Sequence, residues 1–155
     1  MGLSGGCFRE FRGDVREVRF GFPKCYTSGS METQEKDLDV EERDSFLETR
    51  FLGPFSVERF NRQADAASRI CRERKHLKLL VNLTLLDANP TTVERYELAS
   101  HAVRVSAGLR VALLVIPTFL DPHKFGILVA QNRGLQVDAF TDRAKAMAWL
   151  LAGNA

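Results

Sequence analysis

The stretch LLVNLTLLD, residues 79–87, decides the fold of this 155-residue chain. A near-continuous apolar run that ends in turn residues is typical of a strand covered on both faces of a sheet. We therefore predict a central strand over about residues 77–86. Because ligands in open α/β sheets gather beyond the carboxyl ends of the strands, any functional site is expected near the turn that follows.

That turn runs from Asp87 to Thr92 and leads into a helix. Thr91 and Glu94 have the spacing of a capping box, which predicts that a helix begins here and ends near Gly108. The residues predicted to face the core from this helix are Val93, Tyr96, Ala99 and Val103.

The rest of the chain alternates between the two patterns. Further strands are predicted at residues 37–40, 46–52, 109–116 and 135–140, and helices are predicted to start at caps Ser56, Asp121 and Thr141. In the second strand, Leu47, Thr49 and Phe51 form the buried side, and Glu48 lies on the exposed side. The order predicts an α/β fold, a mixed, mostly parallel sheet of about five strands with four helices and an antiparallel first strand at the edge.

The composition excludes several classes of protein. A net charge of +2 gives no argument for a nucleic-acid partner. No window approaches the roughly 20 apolar residues of a membrane span, so no stable membrane insertion is expected. The N-terminus lacks a secretory apolar region, and the three cysteines are scattered without ligand spacing. We expect a cytoplasmic protein with free thiols, no metal and no cofactor.

The first thirty residues differ from the rest of the chain. Glycines interrupt every periodic pattern there, and helical and strand readings conflict. We interpret residues 1–34 as a weakly structured N-terminal extension and residues 35–155 as the folded domain. Met31 is a plausible alternative start.

Several stretches in the second half of the chain resemble one known family. They include Val111–Val115, Asp121–Gly126, Asn132–Gly134 and Phe140–Asp142, and they end at Ala148-Trp149-Leu150. Together with the central strand, they resemble the SpoIIAA-like, or STAS/SEC14-type, domain family over roughly residues 35–152.

The resemblance implies a non-catalytic domain that binds a partner or a small apolar ligand. Phosphorylatable STAS switches place a serine in an Asp-Ser-x-Gly turn after the central strand. The matching turn here, Asp87 to Thr92, has no serine and no glycine. Thr91 and Thr92 occupy the position only, and a helix cap is the simpler role for Thr91.

Other candidate residues lie outside the turn. Tyr96 with Phe119 and Phe125 could line a pocket, or could be plain core. Arg133 could hold a carboxylate or phosphate, although a cation in a last helical turn also needs no ligand. No catalytic triad, phosphate loop or metal spacing appears, so no catalytic residue is assigned and an enzyme is not expected.

Two functions remain. The first is a protein interaction or regulatory module that contacts its partner through the Asp87–Thr92 turn and the outer face of the next helix. The second is a carrier or sensor of a small apolar or lipid-like ligand held near Tyr96, Phe119 and Phe125, which requires a cavity of a few hundred cubic ångströms. A homodimer is also compatible with the sequence, but no particular residues indicate one.

Overall fold

The computed structural model describes residues 37–152. The proposed N-terminal extension, the alternative start at Met31 and the thiols of Cys7 and Cys25 lie outside these residues.

The described chain forms an α/β domain with a single sheet. The strands are β1 Leu38–Glu42, β2 Leu47–Phe51, β3 Lys78–Asn82, β4 Arg110–Leu114 and β5 Gln136–Phe140. The helices are α1 Val57–Glu73, α2 Thr92–Val105, α3 Phe125–Asn132 and α4 Arg143–Ala152, with a short 3-10 turn at Pro117–Phe119. The sheet order is β1-β2-β3-β4-β5, with β1 antiparallel to β2 and the other pairs parallel. The predicted fold class is confirmed.

The two faces of the sheet carry two apolar layers. Leu47, Leu79, Val111 and Val137 pair across the strands and pack in one cluster with buried residues of α1, α2 and α3. Leu80 and Ala112 point the other way and pack with Ala146 and Leu150 of α4. The central strand is thus buried on both faces, as its continuous apolar sequence predicts.

The central strand is shorter than predicted, because a side chain ends it. The Asn82 Oδ1 accepts hydrogen bonds from the Thr84 backbone N–H at 3.0 Å and the Thr84 hydroxyl at 2.6 Å. This local turn competes with the strand ladder. Leu83 and Leu86 stay buried beyond it, whereas Leu85 is exposed.

Two predicted helix starts, at Ser56 and Thr91, are confirmed, and the two at Asp121 and Thr141 are displaced. Ser56 caps α1 by accepting from the Arg59 N–H at 3.1 Å. The third helix begins at Phe125, because Lys124 before it has a left-handed backbone with φ of 49°. The fourth helix begins at Arg143, and Asp142 rather than Thr141 accepts from its first turn, at the Ala144 N–H.

The prediction that Glu48 lies on the exposed side of β2 is wrong. Glu48 is only 4% exposed, because α4 covers this face of the sheet. Both carboxylate oxygens of Glu48 accept from the Arg143 guanidinium at 2.7 Å, and Arg43 approaches to 3.5 Å. The hydrogen bonds from Arg143 lower the pKa of Glu48 despite its burial. The pair links β2 to a helix that lies 95 residues later in the chain.

Replacing Arg143 by Met should therefore destabilise the domain in a pH-dependent way. Removing Arg143 leaves the buried carboxylate of Glu48 without its main partner, so we expect the free energy of unfolding to fall by about 2 kcal/mol at pH 7. This is less than the cost of breaking a fully buried pair, because Arg143 is half exposed and Arg43 still approaches Glu48. Since the pKa of folded Glu48 lies below its ordinary 4.5, the stabilisation is present above that pH and is lost as pH falls through the folded pKa. Urea unfolding from pH 7 to pH 3 measures both effects.

Arg50→Met is the matched control, because Arg50 pairs with an exposed carboxylate, Asp39, at 2.8 Å. It should cost about 0.5 kcal/mol at pH 7. Equal losses in the two variants, or a gap between wild type and Arg143→Met that does not narrow in acid, would show that the pair is not specially stabilising.

Candidate functional site

The helical layer leaves a cavity of about 160 Å³ between the sheet and helices α1, α2 and α3. Its lining is mainly apolar. Large side chains that line it include Phe60, Leu79, Val81, Leu83, Leu113, Val115, Phe119 and Ile127. A cavity of this size with apolar walls can hold one molecule about as large as benzene.

Small residues keep this space open. The helices contribute alanines where larger apolar residues would fill the space, namely Ala64, Ala67, Ala99, Ala102 and Ala130. Gly126 lets α3 approach α2 closely, since an added Cβ would lie 3.3 Å from the backbone oxygen of Arg95. The helices are thereby held close to one another while the volume beneath them stays unfilled.

One end of the cavity is formed by the segments that follow the carboxyl ends of β3 and β4. Arg95 of α2 joins these two segments. Its Nε donates to the Pro90 carbonyl at 3.1 Å, and its Nη2 donates to the Asn89 Oδ1 at 2.5 Å and the Phe119 carbonyl at 3.4 Å. We call the residues Arg95, Asp121 and Lys124, which all line the cavity, the polar end. The predicted location beyond the central strand thus corresponds to one end of the cavity.

The two other charged groups of the polar end have partners of their own. Asp121 accepts from the backbone N–H groups of His123 at 3.0 Å and Phe125 at 2.8 Å, and these bonds, chiefly the one from Phe125, lower its pKa. The Lys124 ammonium donates to the Asp138 carboxylate at 2.7 Å and to a backbone carbonyl at 3.3 Å. Asp121 thus caps α3 through its side chain, four residues before the helix begins.

The predicted turn is built of structural bonds. Asp87 accepts from the Phe55 N–H at 2.8 Å, which ties the segment after β3 to the entry of α1. The capping box is present: Thr91 Oγ1 accepts from the Glu94 N–H at 3.2 Å, and the Glu94 carboxylate accepts from the Thr91 N–H at 2.8 Å. Thr92 is exposed and is the first residue of α2.

The structure places the three residues of the predicted aromatic pocket in different surroundings. Phe119 lines the cavity, but Tyr96 and Phe125 do not, and both are exposed. Tyr96 and Val93 were predicted to face the core of α2, yet they are 44% and 68% exposed. Ala99 is buried on the inward face as predicted, and Ala102 and Val103 pack against the core beside it.

Arg133 and Tyr96 contact each other on the surface between α2 and α3. The guanidinium of Arg133 donates to the Tyr96 hydroxyl at 2.8 Å and to the Ser100 hydroxyl at 2.9 Å, and it lies 5.2 Å from the Tyr96 ring centroid. The hydrogen bond from Arg133 to the Tyr96 hydroxyl lowers the pKa of Tyr96. Arg133 thus joins two helices and does not reach the cavity lining.

Sequence reasoning missed Arg95 and the small residues of the cavity. The signal for Arg95 was its position in the first turn of the helix that follows the central strand, from which a long side chain can reach the segments that follow β3 and β4. The signal for the cavity was the run of alanines on the inward faces of α1 and α2. Neither pattern is specific, because alanine is also a common core residue and arginine a common surface residue.

Comparisons with known proteins bear on the fold. No family model matches the chain, and no curated protein matches it. One similar solved structure is that of an uncharacterized protein of the DUF3478 family from Shewanella loihica PV-4, described as having a SpoIIAA-like fold. The match covers 73% of this chain and 91% of that chain, with 16% sequence identity and a TM-score of 0.48. That description names the same fold as the resemblance drawn from the sequence.

Two further structural findings concern the described part of the chain. No helix within residues 37–152 is long and apolar enough to cross a membrane. Within the same residues, no group of three or more His, Cys, Asp or Glu side chains is arranged to hold a metal ion.

The two threonines of the turn should differ in their contribution to stability. Thr91→Ala removes the cap of α2 and should lower the free energy of unfolding by about 1 kcal/mol. Thr92→Ala, its neighbour on the exposed first turn, should change it by less than about 0.5 kcal/mol. Urea unfolding of both variants measures the difference. If Thr92→Ala costs as much as Thr91→Ala, the capping role assigned to Thr91 is wrong.

Proposed function

We propose that this domain is a non-enzymatic binding module that takes one small apolar molecule into the cavity between the sheet and helices α1 to α3. The observation that carries the proposal is the unfilled 160 Å³ volume with a mainly apolar lining. Well-packed interiors leave few unfilled spaces larger than a water molecule, and this one is partly open to solvent while core side chains line it. Its occupation by an apolar molecule would restore the lost contacts.

The volume limits the ligand. A carrier of a lipid-like molecule requires a few hundred cubic ångströms, and 160 Å³ is too small for a long acyl chain. A single aromatic ring or a short branched alkyl group fits. We therefore narrow the proposed ligand from a lipid-like molecule to a compact apolar molecule.

The chemistry of the lining supports binding rather than catalysis. The carboxyl group of Asp121 has a lowered pKa and its oxygens accept two backbone hydrogen bonds, which makes it a weak base. Cys71 does not line the cavity, and burial raises the pKa of its thiol to about 11, so it is a poor nucleophile at neutral pH. His76 and His101 pair with Glu42 and Asp65 instead of lining the cavity.

Filling the cavity should abolish binding. Ala102 lines the cavity from α2 and is half buried, so Ala102→Leu places a larger side chain into the space. We expect the wild-type protein to bind toluene, with changes in the amide resonances of Leu113 and Phe119, and Ala102→Leu to bind none. The same variant should gain about 1 kcal/mol of stability, because it buries apolar surface in existing space.

Ala148→Leu is the control, because Ala148 is exposed on α4, away from the cavity. It should bind toluene like the wild type. Mass spectrometry of protein purified gently from its host should release a small molecule from the wild type and Ala148→Leu, and none from Ala102→Leu. A wild-type protein that does not bind toluene would overturn the proposal.

A second candidate function is the protein interaction module predicted from the turn. It is favoured by two large apolar residues that are exposed on either side of the turn, Leu85 before it and Val93 after it, where a partner could cover them. The partner would be a protein that contacts the first turn of α2 with apolar side chains.

Photocrosslinking tests this second function. A benzophenone amino acid at position 93 should give one discrete crosslinked species in the native host, and Val93→Asp should weaken the purified complex at least tenfold. The same amino acid in place of Arg62, an exposed residue of α1, should give no such species. Identical crosslinking from both positions would argue against a contact at the turn.

A further inference from the structure

The polar end of the cavity contains a cation that lacks an anionic partner. Arg95 is half buried and lines the cavity. Its three hydrogen bonds go to two backbone carbonyls and one amide oxygen, all uncharged. Within residues 37–152, no carboxylate oxygen lies within 4.0 Å of its guanidinium, and its Nη1 donates no hydrogen bond.

The neighbouring charges do not neutralise Arg95 by direct contact. Lys124 and Asp138 neutralise each other at 2.7 Å. Asp121 acts on Arg95 only through space, because its carboxylate accepts from the backbone of α3. Two cations and one anion therefore line this end, and the only cation without an ion pair among them is Arg95.

A guanidinium in such surroundings favours an anion. Taking a charge out of water is costly unless it is paired, and a carboxylate would supply the negative charge that Arg95 lacks. A charge-assisted bond is also roughly twice as strong as a neutral one. The free Nη1 provides the donor, and the neighbouring apolar walls hold the rest of such a molecule.

We propose that the ligand of this cavity is a compact apolar carboxylate, whose apolar part fills the space between sheet and helices and whose carboxylate binds Arg95. The inference rests on the proposed function, and it adds the class of ligand and the residue that selects it. Arg95 has two roles in it: it binds the anion, and it joins the two segments at the end of the cavity.

A pair of probes separates the carboxylate from the apolar part. Phenylacetate and 2-phenylethanol share a ring and a two-carbon chain, and they differ in an anionic against a neutral polar group. In NMR titrations of the full-length protein at pH 7.5, we expect phenylacetate to bind at least tenfold more tightly. In Arg95→Met, which keeps an apolar stem, the two dissociation constants should come within about threefold of each other.

Arg104→Met is the matched control, because Arg104 is on the same helix but exposed, where it contacts the Ser100 carbonyl and His101. It should keep the wild-type preference for phenylacetate. Retained binding of 2-phenylethanol by Arg95→Met shows that this variant is folded. If Arg95→Met does not fold, the same titrations are made with Arg95→Gln. The Gln side chain also removes the charge, but it still carries an N–H donor.

The outcomes distinguish this inference from the function on which it rests. If wild type binds both probes equally, the anionic class is overturned while an apolar ligand still stands. If Arg95→Met keeps the preference for phenylacetate, the role of Arg95 as the residue that selects the anion is overturned. If wild type binds neither probe nor toluene, the cavity is not a binding site and both proposals fall. The ratio of the two affinities in wild type decides the class of ligand without any variant, and the ratio in Arg95→Met decides the role of Arg95.

Discussion

The handedness of the parallel crossovers is the constraint on which the rest of this structure depends. Strands β2 to β5 lie side by side in chain order, and right-handed connections in one direction place every crossover helix on the same face. Helices α1, α2 and α3 must therefore share that face, and α4 alone covers the other. Helix α2 packs against both α1 and α3, and three helices side by side on a twisted sheet leave space wherever small residues line the contacts. The cavity is the product of this topology combined with alanine-rich inward faces.

Local chemistry was predictable where the partners are close in sequence. The capping box of Thr91 and Glu94 and the Ser56 cap each depend on residues within one helical turn. The fold class followed from the order of such elements. The strand end at Asn82 was missed although its partner is two residues away, because a continuing apolar run outweighed one polar residue in the pattern.

Features that depend on distant partners could not be read in the same way. Glu48 looked solvent-exposed because nothing nearby in sequence indicates that α4 returns to cover it. Tyr96 was assigned to the core on its spacing, but its hydroxyl bonds to Arg133, 37 residues later, on the surface between two helices. The cavity is harder still to predict from the sequence. It is an unfilled volume whose existence depends on how the side chains of several distant elements pack together.

The burial of β2 on both faces has a consequence for how the chain finds its fold. Along this strand, apolar residues such as Leu47 alternate with Glu48, whose charge fits only opposite Arg143. A one-residue slip of β2 against β3 would turn every side chain to the other face. It would drive a carboxylate among the apolar side chains beneath α1 and leave Arg143 facing leucine or threonine. The ion pair therefore penalises misaligned sheets far more than it stabilises the correct one, and a mispaired intermediate would carry an unneutralised charge in its interior.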